Sequence, residues 1–248
     1  MIATLPIQAR KCTTLAEFHR CVEIQREVWG ESDLETEPYV TFVVAHQTGG
    51  QVLGAFAGDD MVGFSMSLVG LHGTTPYLHS HMTGVIAAYR NRHVGRLLKL
   101  FQREEALSRD IRLVEWTFDP LETRNAHFNF NRLGSISRRI IPNFYGITSS
   151  ALHRGLPTDR LLVEWNLNSR RVIAAISDLA AAAEAPATVR LPPELDEWKQ
   201  SQQMDRLSEV QTRIRHEFQH WFAKQYAVTA IRFSPVGTDY CLSPWSDF

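Results

Sequence analysis

His79 and His81 stand two residues apart in a stretch that runs on through Thr83-Gly84-Val85-Ile86. In an extended chain that spacing places both imidazoles on one face. An imidazole is also the side chain best suited to taking a proton near neutral pH. A few residues later Arg90, Arg92 and Arg96 surround Gly95, where a helical pattern opens. A helix start has up to about four backbone N–H groups with no acceptor inside the helix, and its dipole adds roughly half a positive charge. Together these features bind anions. Gly95 lets a ligand come close to the backbone, and arginines add charge-assisted bonds to phosphate oxygens. The chemistry on offer is therefore a proton acceptor beside a site for phosphate or pyrophosphate. The plainer alternative is a polar sheet end followed by a surface turn with solvated arginines.

The elements that must position these groups follow from periodicity. Ser80 to Ile86 reads as a strand, and Val94, Leu97, Leu98 and Phe101 recur at helical spacing. Ile7 to Lys11 reads as a first strand, followed by a helix opened by a Thr14/Glu17 capping box. That helix buries Phe18, Cys21, Val22, Ile24 and Val28, and ends at Trp29-Gly30. Residues Glu31 to Tyr39 read as an acidic, irregular connection closed by Pro38, the alternative being a loop that covers a substrate pocket. Gln51 to Gly58 and Met61 to Val69 form a hairpin around Asp59-Asp60, and Val114 to Phe118 is a strand closed by Pro120. Arg124 to Leu133 is a short helix stopped by Gly134, and Leu161 to Leu167 is a further strand.

Arg90-Asn91-Arg92-His93-Val94-Gly95 after a strand resembles the acyl-CoA motif of the GNAT acyltransferase superfamily, Gln/Arg-x-x-Gly-x-Gly/Ala. Arg90 and Gly95 match, and His93 stands where the first glycine is usual. Asn125-Ala126-His127-Phe128-Asn129-Phe130-Asn131-Arg132-Leu133-Gly134 is similar to a second GNAT segment, whose helix lines the pantetheine arm. A tyrosine on that helix often protonates the departing thiolate; its position here falls on Phe130. The resemblance implies an α+β fold, an α/β sandwich: a mixed, mostly antiparallel central sheet flanked by helices. It also implies acetyl-CoA or another acyl-CoA as co-substrate, with no metal. On this reading Arg90, Asn91, Arg92, His93, Val94, Gly95 and Arg96 hold the diphosphate, and Asn125 touches the carrier. The backbone of Thr83, Gly84 and Val85 holds the acyl carbonyl. His81 is the implied base, and Tyr145, in Asn143-Phe144-Tyr145-Gly146, the replacement proton donor. Across nearly the whole chain the sequence is similar to a GNAT subgroup with an added C-terminal region, some members of which are associated with N-succinylation of amino acids.

The chain has 248 residues, 44% hydrophobic and 21% charged, with a net charge of −1. That is the composition of an ordinary globular protein and excludes a general nucleic-acid binder. Seven Arg or Lys against three acids between Arg90 and Arg112 would attract a polyanion. Cys12, Cys21 and Cys241 show no metal-ligand spacing, and no apolar run approaches the roughly 20 residues of a membrane span. Without a signal peptide at Met1 the expectation is a cytoplasmic protein. The composition shifts after Asn168, so a GNAT domain over 1–168 and an extension over 169–248 are expected. In the extension, Arg171 to Ala185 is helical and Ala187 to Pro193 is extended. Leu207, Val210, Ile214, Phe218 and Trp221 mark a long amphipathic helix, and Ala227 to Leu242 a hairpin. That unit cannot bury its aromatic face alone, so it packs on the sheet or on a second copy in a homodimer. Two function classes result: acyl transfer to a small-molecule amine, or a non-catalytic acyl-CoA sensor or assembly module. Glu35 and Glu115 are further acids that could enter such a pocket.

Overall fold

The computed structural model describes residues 6–30, 36–146, 155–179 and 185–245. Glu35 and part of the helix expected over 171–185 lie outside them. The chain divides into two compact units, one ending at Val114 and the other starting at Glu115. The division expected after residue 168 falls inside the second unit.

In the first unit, strands β1 (Ile7–Lys11), β2 (Gln51–Ala57), β3 (Asp60–His72) and β4 (Thr75–Val85) pair antiparallel in that order. Helix α1 (Leu15–Trp29) starts at the Thr14/Glu17 capping box and stops at Gly30, whose φ of 62° suits glycine. The Glu17 carboxyl is penalised by burial. The N–H groups of Thr13 and Thr14 and the Arg10 guanidinium outweigh that and bring it down to about 2. Helix α2 (Tyr39–Gln47) follows Pro38, in a stretch where no helix is expected from the sequence because its valines and aromatics show no 3.6-residue stripe.

Every residue of β2 is buried, because helices cover both faces of the sheet. Phe18, Cys21, Ile24, Phe42, Phe56, Phe64 and Met66 fill the layer under α1 and α2. Leu53, Ala55, Val62, Val94 and Leu98 fill the layer under α3 (Val94–Leu107).

The second unit carries β5 (Leu113–Phe118), which begins two residues before the division. A short helix α4 (Thr123–Ala126) runs into a π-helical segment, His127–Arg132, and Gly134 ends it. A Cβ on Gly134 would lie 2.8 Å from the Ala175 side chain, so glycine is needed there for space as well as for its φ of 70°. Strand β6 (Ile136–Ile141), not anticipated from the sequence, pairs antiparallel with β7 (Arg160–Asn166). Its Ser-Arg-Arg centre breaks the apolar alternation that marks a strand, and Arg138 is taken up by Glu164 of β7.

The rest of this unit is α5 (Arg170–Ile176), β8 (Ala187–Leu191), α6 (Leu195–Gln200), α7 (Met204–Ala223), β9 (Tyr226–Ser234) and β10 (Gly237–Pro244). β9 pairs with β6 at Ser137 and Val228, and Asn131 bonds both the N–H and the C=O of Ile231. Tyr240, fully buried among Phe130 and Phe218, donates its hydroxyl to the Pro120 carbonyl at 2.6 Å. Lys199 of α6 caps the same turn through the Leu121 carbonyl and Glu122. Tyr240→Phe leaves that carbonyl without its donor and is expected to cost about 1–3 kcal/mol of stability, read as a lowered urea midpoint at unchanged m.

Candidate functional site

The ladder between β3 and β4 slips by one residue at a single place. Met66 faces Met82 and Ser67 faces Ser80, which leaves His81 as the extra residue of a β-bulge. A bulge re-aims side chains and increases twist, and is common beside active sites. Its effect is visible in the contacts. Ser80 points to α3, yet Met82, two residues on, packs into the α1/α2 layer. His81 lies on the same side, with Nε2 3.6 Å from Oε1 of Glu37, just before α2. The ring of His79 is 6.3 Å from that of His81. Burial, with His81 and Lys99 nearby, pushes the His79 imidazole below its usual value, so it is neutral at pH 7.

Helix α3 holds the other side of the bulge through polar contacts. Lys99 Nζ donates to Ser80 Oγ at 2.8 Å and to Gln102 Oε1 at 3.0 Å. Gln102 Nε2 donates to Ser67 Oγ at 2.6 Å. Ser67 and Ser80 are the ladder pair next to the bulge, so this network pins it from below. The buried face of α3 is thus Val94, Leu98, Lys99, Gln102, Glu105 and Ala106. The apolar stripe expected through Leu97 and Phe101 is only half-buried. The helix is rotated toward its polar residues because the two serines satisfy them.

Burial pushes the Lys99 amine from its usual 10.5 to about 7. Between those values the unfolded chain binds a proton that the folded chain does not. Stability is therefore complete above pH 10.5 and is lost as the pH falls toward 7, with a slope of up to about 1.4 kcal/mol per pH unit. Urea titrations at pH 7 and pH 9 should show the parent gaining about 2 kcal/mol relative to Lys99→Met. Parallel curves for the two proteins would contradict a buried, half-neutral amine.

After Val85 the chain makes a single 3₁₀ turn, Ala87–Tyr89, and enters α3 through Asn91 and His93, each with φ near 60°. His93 therefore adopts the left-handed conformation that glycine reaches most easily. The first intrahelical bond runs from Leu97 N–H to His93 C=O. No side chain caps this helix and no acid lies in its first turn. A Cβ on Gly95 would meet nothing within 4 Å, so the helix start is open at that residue.

The arginines divide their work. Arg90 turns back on the backbone, with Nε bonding Val85 C=O at 3.2 Å and a terminal nitrogen 3.5 Å from Val28 C=O, which ties the loop to β4 and to the end of α1. Arg92 is exposed, 5.2 Å from the Tyr89 ring centre. Arg96 is half-buried in the first turn of α3. Thr83 pairs with Ser65, hydroxyl to hydroxyl at 3.0 Å, and Gly84 is buried against Phe64 and Trp29. Val85 joins the layer under α3.

In the second unit, Tyr145 is 45% exposed, with its hydroxyl 3.2 Å from Thr117 Oγ1 and its ring 5.4 Å from the Arg160 guanidinium. Asn125 is exposed on α4. Phe130 is fully buried, 5.8 Å from the Phe118 ring and 6.2 Å from Tyr240, so no polar group acts from that position. Glu115 is buried within β5.

Reasoning from sequence missed Glu37, Gln25 and the Lys99 network. Polar residues at helix positions that otherwise point inward were the available signal for Lys99, Gln102 and Gln25. Among the described residues no group of three His, Cys, Asp or Glu could hold a metal ion, and no helix is long and apolar enough to cross a membrane.

No family model and no curated protein matches the chain. Solved structures do. NAA60 of Arabidopsis thaliana in complex with acetyl-CoA superposes with a TM-score of 0.54 at 14% identity, covering 65% of this chain and 99% of that one. The ribosomal-protein-S18-alanine N-acetyltransferase of Escherichia coli gives 0.53 at 13%, covering 66% and 96%. A GNAT-family structure from Desulfovibrio desulfuricans gives 0.53 at 13%, covering 65% and 99%. The fold is therefore that of the GNAT acetyltransferases, an α+β fold with a mixed, mostly antiparallel sheet flanked by helices. It occupies about two-thirds of the chain.

Proposed function

We propose that this protein transfers an acyl group, acetyl or succinyl, from acyl-CoA to the amine of a small molecule such as an amino acid, by direct attack in a ternary complex. The observation that carries the reading is the opening of α3. A basic loop delivers an uncapped helix start, free of acid and open at Gly95, directly after a strand whose bulge presents His81. The amides of Val94 and Gly95 and the charge of Arg96 fit a diphosphate. The fold supports the same reading, since structures that share it include complexes with acetyl-CoA or CoA.

Acyl transfer to an amine needs three things. The amine nitrogen must give up a proton, which falls to His81. The developing oxyanion must be held by backbone N–H groups near Thr83 to Val85. The thiolate must leave and take up a proton, for which Tyr145 is the hydroxyl we assign.

The deciding experiment is thiol release from acetyl-CoA and succinyl-CoA across amino acids, polyamines and peptides with free N-termini, with calorimetry of acyl-CoA binding alongside. Binding with turnover of a small amine supports the proposal, and turnover of peptides alone moves the acceptor to that class. Binding without thiol release on any acceptor supports an acyl-CoA sensor, the reading favoured by the buried Phe130 where a hydroxyl is usual. Absence of binding to either thioester ends both readings.

A further inference from the structure

Glu37 is held in place more firmly than a loop residue requires. Gln25 of α1, 0% exposed, clamps its backbone on both sides. Gln25 Nε2 donates to Glu37 C=O at 3.1 Å, and Glu37 N–H donates to Gln25 Oε1 at 3.0 Å. Pro38 follows, and a residue before proline is confined to extended backbone. From this restrained backbone the Glu37 carboxylate comes to 3.6 Å from His81 Nε2. The other buried residues of α1 are apolar, Phe18, Cys21 and Ile24, and belong to one layer with Phe42. A buried amide in such a layer costs free energy unless both its ends are bonded. Leucine there would leave the Glu37 N–H and C=O without this partner, so what the clamp fixes is the backbone of Glu37.

We propose that Gln25 and Glu37 are positioning residues for His81: the clamped carboxylate keeps the proton on Nε2, so that Nδ1 carries the lone pair that accepts the proton of the incoming amine. The proposal rests on the base reading of His81 given above. A carboxylate facing one ring nitrogen fixes the tautomer and stabilises the imidazolium once the other nitrogen is protonated. At 3.6 Å the pair is in ion-pair range and not yet hydrogen-bonded, and such catalytic contacts often tighten only when substrate binds. As the amine nitrogen bonds to the thioester carbon, its proton passes to Nδ1 and the C–S bond breaks to leave the thiolate. The imidazolium then returns its proton to water, and the thiolate takes one up. Among the described residues, the titratable groups placed beside His81 are Glu37 from the segment entering α2, His79 on β4 and, through His79, Lys99 of α3. Burial holds the His79 imidazole below its usual value, and the carboxylate that the structure sets against the His81 ring is that of Glu37.

The test is ¹⁵N NMR of the histidine side chains in the full chain, with His81 assigned by its loss in His81→Gln. The parent should show the Nε2-protonated form. Glu37→Ala and Gln25→Leu should each give a mixture of both tautomers. Where turnover is measurable, kcat should fall about tenfold or more with the KM for acyl-CoA unchanged, a share of the 10²–10⁴ that a general base supplies. Glu37 is half-buried and its side chain is 34% exposed, so Glu37→Ala remains decisive if Gln25→Leu fails to fold. An unchanged His81 tautomer in Glu37→Ala overturns the proposal, whether or not the protein turns over. A fixed tautomer in the parent that is lost in Glu37→Ala, together with full activity in His81→Gln, instead removes the base reading and leaves the clamp standing.

Discussion

His81→Gln is expected to lower kcat for amine acylation by about 10²–10⁴-fold while leaving acyl-CoA affinity within about twofold. The asymmetry follows from where the residue sits. His81 is the extra residue of the bulge in β4, on the side of α1 and α2, whereas the open helix start belongs to α3. Glutamine keeps a polar group of similar reach but cannot hold a proton, so binding that depends on the helix is preserved and the proton step is not. Stability should change little, because the bulge is pinned by Ser80, Lys99 and Gln102 rather than by the imidazole. Added imidazole should restore part of the rate. A variant with the parent's kcat would assign the proton to another group.

How much of this was legible beforehand depended on whether neighbours or distant residues set the geometry. The α1 capping box, the Gly30 and Gly134 stops and the helix after Arg92 are local devices, and the sequence marks them directly. Strand β6 was invisible because Ser137, Arg138 and Arg139 interrupt its pattern, and its partner Glu164 lies 26 residues from Arg138. Helix α2 was invisible because it is apolar nearly all round. The bulge at His81 could not be read from spacing, since two residues apart means one face in any regular strand. Only the pairing of Ser67 with Ser80 and of Met66 with Met82 shows the slip. Glu37 was passed over for a similar reason: what makes it more than a loop acid is Gln25, 12 residues earlier and buried on another element. His93 is readable as a departure from the glycine of the motif, and its φ of 60° is one that glycine adopts more readily than histidine.

The left-handed turn into α3 makes Gly95→Asp the sharpest test of the helix start. A Cβ there meets nothing within 4 Å, so a side chain can start from this position without a clash. Glycine is among the poorest helix residues, and an acid in the first turn is favoured by the dipole. The fold should therefore gain stability, by about 1 kcal/mol, as seen in urea. The ligand meets the opposite situation. A carboxylate now occupies the space open to a diphosphate and repels it, and two like charges about 4 Å apart near a protein surface interact by about 4 kcal/mol. Acyl-CoA affinity should fall by about 100-fold or more in calorimetry, with a large part of the loss relieved by salt. Gly95→Ala separates space from charge: it should share the gain in stability and lose affinity by a smaller factor that salt does not restore. Most damaging substitutions weaken fold and function together. A stability that rises while affinity collapses is expected only where the protein left its helix start uncapped for an anionic ligand, and a Gly95→Asp protein that binds acyl-CoA like its parent would place the diphosphate elsewhere.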